Sequence, residues 1–282
     1  MCHSFSRGSA IFEVLGLHRT DLGAAIFRLD EHINRLFRSA KILGMEMPLS
    51  HDDLFAAALQ TVKTNRLERG FIKIVCYYPQ VAFEISPPQN PLDVSIFVLD
   101  PLQDLEHQQL LGKEGTTLCL SKWRKLDPQT VPIEAKVAAN YLNGMVARME
   151  AEKRGFENGL MLDTQGFIAE GGTHSVFVIK NHCLMTPSLG TVLESITRKT
   201  LLEVAEYLKI ETWEGRIRPQ LLYEADEMFI SGTPAKVLPV HRFEDRFLER
   251  TPGPLTRKLS DLVDEIVAGR IERFRHWLFP VG

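Results

Sequence analysis

The chain has 282 residues, 44% of them hydrophobic and 24% charged, which is the make-up of an ordinary globular protein large enough for two lobes. Lys and Arg number 33 against 36 Asp and Glu, a net charge of −3, so neither nucleic acid nor a membrane surface is implied as a partner. No apolar run approaches the roughly 18 residues of a membrane span, and M-C-H-S-F-S-R opens without an apolar leader core.

Four cysteines, Cys2, Cys76, Cys119 and Cys183, show no metal-ligand spacing. Cys76 and Cys119 fall in apolar strand-like runs and are expected as buried free thiols, as in a reducing cytoplasm. In chain order, S-F-S-R-G-S-A-I-F-E-V-L contains the first strand. Asp30 then caps a predicted helix with Ile33, Leu36, Phe37, Ala40 and Leu43 on one stripe, closing at Gly44. His32 and Arg35 are three apart on that helix and share a face. Ser50 caps a second helix over about His51–Lys63, with Leu54, Phe55, Ala58, Leu59 and Val62 inward.

Three half-buried strands follow, Phe71–Tyr77, Asp93–Leu99 and Thr116–Trp123, with Gln103–Gly115 read as a loop. Mostly antiparallel, they complete a small α+β lobe with the two helices. Prolines and polar residues place a boundary near Leu126–Pro132, giving lobes of 1–125 and 126–282. Lys136 precedes a run with Val137, Tyr141, Met145, Val146 and Met149 at helical spacing. Leu160–Asp163 and Phe167–Glu170 read as strands around the turn Thr164–Gly166, the second ending on Gly171-Gly172. Taken alone, that lysine and that glutamate read as a surface residue and a solvated acid.

Ser175–Lys180 and Cys183–Met185 form a predicted hairpin across Asn181-His182. A helix then starts near Ser195–Thr197, with Leu201, Leu202, Val204, Ala205 and Leu208 apolar. Its N-terminal amides and positive dipole end suit a phosphate, though taken alone a plain N-capped core helix is the preferred reading. The strand Glu227–Ile230 leads to Ser231-Gly232-Thr233, and a Pro-started helix with Leu259, Leu262, Ile266 and Ile271 inward closes the chain.

The strings A-K-V-A-A-N-Y-L-N and L-M-L-D-T-Q-G-F-I-A-E-G-G resemble the central signature of the class IV aminotransferases, the fold-type IV pyridoxal 5′-phosphate (PLP) enzymes. The resemblance runs nearly the full chain. It implies an α+β fold with a small N-terminal lobe and a larger C-terminal lobe built on a sheet or barrel core. By the same resemblance Lys136 carries PLP as a Schiff base and Glu170 faces the pyridine nitrogen. Tyr141 is expected at the cofactor's 3′ oxygen, with a core aromatic as the alternative. D-E-H-I-N-R-L matches the family's H-x-x-R-L helix, whose arginine, here Arg35, grips the phosphate. Ile196 and Thr197 match the pair whose amides bind it. L-Y-E-A-D-E-M-F-I-S-G-T-P-A-K-V-L-P-V matches the turn that serves phosphate and substrate carboxylate, which assigns Gly232 and Thr233. S-K-W-R-K-L-D-P-Q-T-V-P-I-E-A-K places Trp123 as a pocket wall or a core residue. The last helix resembles the family's C-terminal helix, so that end is expected to be complete.

Several positions depart from the family. The hairpin usual before the first strand is missing, which suits a short member or a truncated start. Arg7 stands where many relatives have a pocket tyrosine; a surface arginine and a substrate-carboxylate ligand are both open for it. Phe71-Ile72-Lys73 replaces the tyrosine-x-arginine run of branched-chain enzymes, and Lys73 either supplies the missing cation or is an edge-strand lysine. The arginine-x-histidine pair of D-amino acid enzymes and the lyase motif are absent. Ser195 stands for glycine, Lys236, read as a surface lysine, for glutamate, and Pro234 for an alanine, removing an amide donor. The cofactor machinery is therefore better defined than the substrate. The expected activity moves an amino group between an amino acid or amine and a 2-oxo acid, in a homodimer. An aminodeoxychorismate-lyase type of reaction and a non-catalytic PLP-binding relative are the alternatives.

Overall fold

A computed structural model describes residues 2–89, 91–104 and 115–282. The expected loop Gln103–Gly115 lies mostly outside the described residues. The elements are α1 (His3–Arg7), β1 (Ile11–Thr20), β2 (Gly23–Phe27), α2 (Leu29–Ile42), α3 (His51–Asn65), β3 (Gly70–Tyr77), β4 (Asp93–Leu99) and β5 (Thr116–Arg124). Then come α4 (Tyr141–Lys153), β6 (Asn158–Leu162), β7 (Ile168–Gly171), β8 (Ser175–Lys180), β9 (Cys183–Pro187), α5 (Ile196–Tyr207), β10 (Thr212–Gly215) and α6 (Gln220–Glu224). The last are β11 (Glu227–Ser231), β12 (Leu238–Phe243), β13 (Arg246–Phe247), α7 (Pro254–Val267) and β14 (Leu278–Pro280). Two compact units result, one from the described residues of 1–108 with Glu134–Asn140 and Glu265–Gly282, the other from those of 109–133 with Tyr141–Asp264.

The first unit is an antiparallel sheet in the order β14-β2-β1-β3-β4. Alternation along β1 and β3 turns Ile11, Leu15, Leu17, Ile72, Ile74 and Cys76 to one face, where Ile33 and Leu36 of α2 and Leu54, Ala58 and Val62 of α3 cover them. α3 follows its sequence signal: Ser50 accepts from the Asp53 amide and Asp53 answers in a capping box. The cap expected at Asp30 is not there. α2 begins two residues earlier, after Arg28 in the left-handed region (φ 52°), and Asp30 sits in the first turn, where an acid favours the helix dipole. Arg28 is buried, with its guanidinium carbon 4.3 Å from the centre of the Trp277 ring and its Nε donating to Glu31. The amphipathic run at the end of the chain stops at Val267, because Gly269 takes φ 82°, so Ile271 lies beyond the helix.

The second unit is a mixed sheet in the order β10-β9-β8-β11-β12-β5-β6-β7, with β13 beside β12. β5, expected in the first lobe, lies here instead, parallel to both β12 and β6. The residues of the β8–β9 turn, Asn181 and His182, take φ 49° and 67°, as a two-residue hairpin requires. α4 starts at Tyr141, after a 3-10 turn at Ala138–Asn140, and buries Gly144, Ala147 and Ala151 rather than its methionines. Met145 and Met149 remain 52% and 48% exposed. Small residues win that face because backbone meets backbone there: a Cβ on Gly144 would lie 2.3 Å from the carbonyl oxygen of Gly172.

Candidate active site

In the first unit the site is built on one acidic side chain. Alternation along β1 places Glu13 between Ile11 and Leu15 on the core face, with no exposure to solvent. Arg35 grips it with two donors, Nε to Oε1 at 2.7 Å and Nη2 to Oε2 at 2.6 Å, and His32 Nδ1 lies 2.7 Å from Oε2. Burial by itself would raise the Glu13 carboxyl. The charge and hydrogen bonds of Arg35, joined by His32, outweigh burial and hold it down at about 2. For His32 burial wins over Glu13, and the charges of Arg35 and Lys136 add to it, so its pKa falls. This arrangement fixes the plane of the Arg35 guanidinium.

Lys136 is held by its backbone. Its amide donates to Ser39 Oγ (3.0 Å), its carbonyl accepts from the Phe12 amide (3.1 Å), and Val137 bridges to Ile11. Its Nζ lies 4.9 Å from the centre of the Phe12 ring, and Lys73 Nζ lies 5.4 Å from the same ring. Strand register puts Phe71, Lys73 and Phe12 on one face of the sheet, opposite the core face. Arg7 is not at a strand start: it ends α1, exposed, and donates to the Phe83 carbonyl at 2.9 Å.

In the second unit Glu170, at the end of β7, is paired with Lys125, Nζ to Oε1 2.6 Å, both nearly buried. Ser195 caps α5 by accepting from the Arg198 amide, and its carbonyl accepts from Lys199. The amides of Ile196 and Thr197 therefore belong to the first helical turn, which has no acceptor within the helix. The turn after β11 is closed by the Gly232 amide donating to Ala235 O at 3.0 Å, with Thr233 partly exposed beyond it. Ser231 Oγ, buried beside that turn, has no hydrogen-bond partner. Tyr141 opens α4 and is half-buried. Trp123 is 44% exposed, which excludes the core alternative. Lys236 is half-buried rather than fully exposed, and burial, opposed by the charge of Asp264, lowers its amine to about 8.

Sequence reasoning passed over Glu13 and Lys125. Glu13 had a signal, a lone acid at a core position of an alternating strand. Lys125 had none, because a lysine in a polar linker carries no mark of its partner. The first unit thus holds an amine and a buried arginine cluster, and the second a paired carboxylate and the amide donors of a helix start.

Residues 10–243 match the family described as amino-transferase class IV. The chain is 30% identical to the branched-chain-amino-acid aminotransferase of Salmonella typhimurium over 284 residues, covering all of this chain and 92% of that protein. Among solved structures it is similar to the branched-chain amino acid aminotransferase of Escherichia coli (30% identity, TM-score 0.93). It is likewise similar to a T.th. branched-chain amino acid aminotransferase in complex with N-(5′-phosphopyridoxyl)-L-glutamate (32%, TM-score 0.93); each structural match covers all of this chain and 92% of the other. The chain belongs to the class IV aminotransferases. It is therefore an enzyme of amino-group transfer, with the mixed helix-and-sheet architecture expected from its sequence.

Proposed function

We propose that the protein transfers amino groups between an amino acid and a 2-oxo acid with PLP attached at Lys136, acting on branched-chain or similar apolar side chains. The observation that carries this reading is the placement of Lys136, pinned by Ser39 and Phe12 in the unit that holds the Glu13–Arg35–His32 cluster. The donor set fits the cofactor. Arg35, the Ile196 and Thr197 amides and the Gly232–Thr233 turn would hold its phosphate, the same turn would receive the substrate's α-carboxylate, and Glu170 would face the cofactor's ring nitrogen and Tyr141 its 3′ oxygen. PLP, when bound, supplies the electron sink for bonds at the substrate's Cα. Lys136 Nζ would be the base that takes and returns the Cα proton. Glu13 keeps Arg35 oriented, and Lys125 keeps the Glu170 carboxylate in place. Lys73 supplies a cation on the Phe12 face for a substrate carboxylate, and Phe71 and Trp123 offer apolar walls. Arg7, engaged by Phe83 O, is the weakest substrate contact.

Phe5, Val81, Phe83 and Ile85 are 65–84% exposed around α1, which supports a homodimer as the solution state. Among the described residues no helix is long and apolar enough to cross a membrane, and all four cysteines are free, in keeping with a cytoplasmic amino-acid enzyme. The decisive experiment follows the cofactor's visible absorbance while L-branched, D- and primary-amine donors are offered. Wild type should be coloured and bleach with L-branched donors, and Lys136→Ala should do neither. Pyruvate release without an acceptor would favour the lyase, and a colourless protein indifferent to PLP would favour a scaffold.

A further inference from the structure

Residue 234 is proline, so the turn Ser231–Thr233 lacks an amide just where a carboxylate would need one. Against that turn stands His174. The ring atoms nearest a Cβ built on Gly232 are its Cδ2, at 3.2 Å, and Nε2, at 3.9 Å. Its carbonyl accepts from the Gly171 amide at 2.8 Å, which ties the residue to the strand end that carries Glu170. Nδ1 lies 3.2 Å from Thr173 Oγ1. Burial first, and the charge of Arg148 on α4 second, hold the imidazole down at about 4, so it is neutral at ordinary pH. A neutral ring whose Nδ1 accepts from the Thr173 hydroxyl carries its one proton on Nε2, on the Gly232 side.

We infer that the Nε2–H of His174 donates to the substrate's α-carboxylate at the Ser231–Thr233 turn, supplying the hydrogen bond that Pro234 cannot. The inference rests on the reading that this turn receives the carboxylate. Nothing in the sequence match assigns such a role to position 174, and the fit is chemical. A neutral donor can approach an anion without bringing a second charge into a half-buried turn, and a hydrogen bond to a carboxylate is stronger than one between neutral groups.

The test uses the PLP-loaded protein and 4-methylvaleric acid, a carboxylate without an amine, with binding followed by the change in cofactor absorbance. His174→Phe keeps the ring shape and removes the donor; His174→Gln places an amide N–H near the lost Nε2. His174→Phe should bind the acid roughly ten- to a hundredfold more weakly, the range for losing a hydrogen bond to a charged group. His174→Gln should recover most of that loss, while PLP affinity and thermal stability stay at wild-type values in both. Unchanged acid binding in His174→Phe, with weakened binding in Thr233→Ala, would overturn this inference and leave the turn's assignment standing. Acid binding indifferent to both substitutions would remove that assignment and the inference with it. Equal losses in the Phe and Gln variants, accompanied by loss of PLP, would make His174 a packing residue and overturn the inference.

Discussion

Replacing Glu13 by glutamine isolates the buried cluster on which Arg35 depends. The substitution keeps the volume but removes the charge, and it turns an amide donor toward Arg35 and His32, which already point donors at that spot. The native carboxyl falls from 4.5 to about 2 on folding, and at about 1.4 kcal/mol per pH unit this contributes about 3 kcal/mol to stability at neutral pH. Breaking a buried ion pair from one side costs about 3–5 kcal/mol, in agreement. The sign follows from the depressed pKa: the contribution is complete above the unfolded value of 4.5 and is lost as pH falls through it toward about 2. About 2 kcal/mol should be gone by pH 3. Urea unfolding of wild type and Glu13→Gln, followed by circular dichroism, should therefore show a gap of about 3 kcal/mol at pH 7 that shrinks to about 1 at pH 3. A gap that stays constant across that range would refute the assignment of the charge to Glu13.

Glu170→Gln should reduce turnover far more than PLP affinity, and loss of both in equal measure, read by cofactor titration beside steady-state rates, would contradict its assigned place. Gly144→Ala puts a Cβ 2.3 Å from Gly172 O, so it should lower stability by about 1–3 kcal/mol despite alanine's better helix propensity; a raised melting temperature would show that the contact relaxes freely. Lys73→Met should raise KM for the amino donor about tenfold with the cofactor still bound, since it removes a charged partner of the substrate. An unchanged KM would return Lys73 to the status of an exposed strand residue.

The helices α3 and α5 and the strands β1, β3 and β4 were legible because caps and alternation are local signals, whereas β2 and β14 were not read as strands. Ser50 needs only Asp53, and Ile72 and Ile74 need only each other's spacing. Partners were less legible than periods. β5 reads as a strand wherever it sits, and only its pairing with the strands that carry Asn158 and Val240 assigns it to the second unit. On α4 the eye follows Met145 and Met149, yet the buried face belongs to residues too small to register as hydrophobic signal. Family resemblance named Lys136, Arg35 and Glu170 as site residues but not the side chains that hold them. Glu13 and Lys125 act through pairs formed across long stretches of sequence, which no local window contains.

The outermost strand of the first sheet, β14, pairs with β2, and between them lies almost the whole length of the polypeptide. A ribosome must therefore deliver Leu278–Pro280 before that sheet can close, and Trp277 before Arg28 gains its aromatic cover. The strands from 116 to 247 have no such wait. During synthesis the middle of the chain can reach its final pairing while β2 still presents a raw edge, and a stop placed before Leu278 would leave that edge open for good.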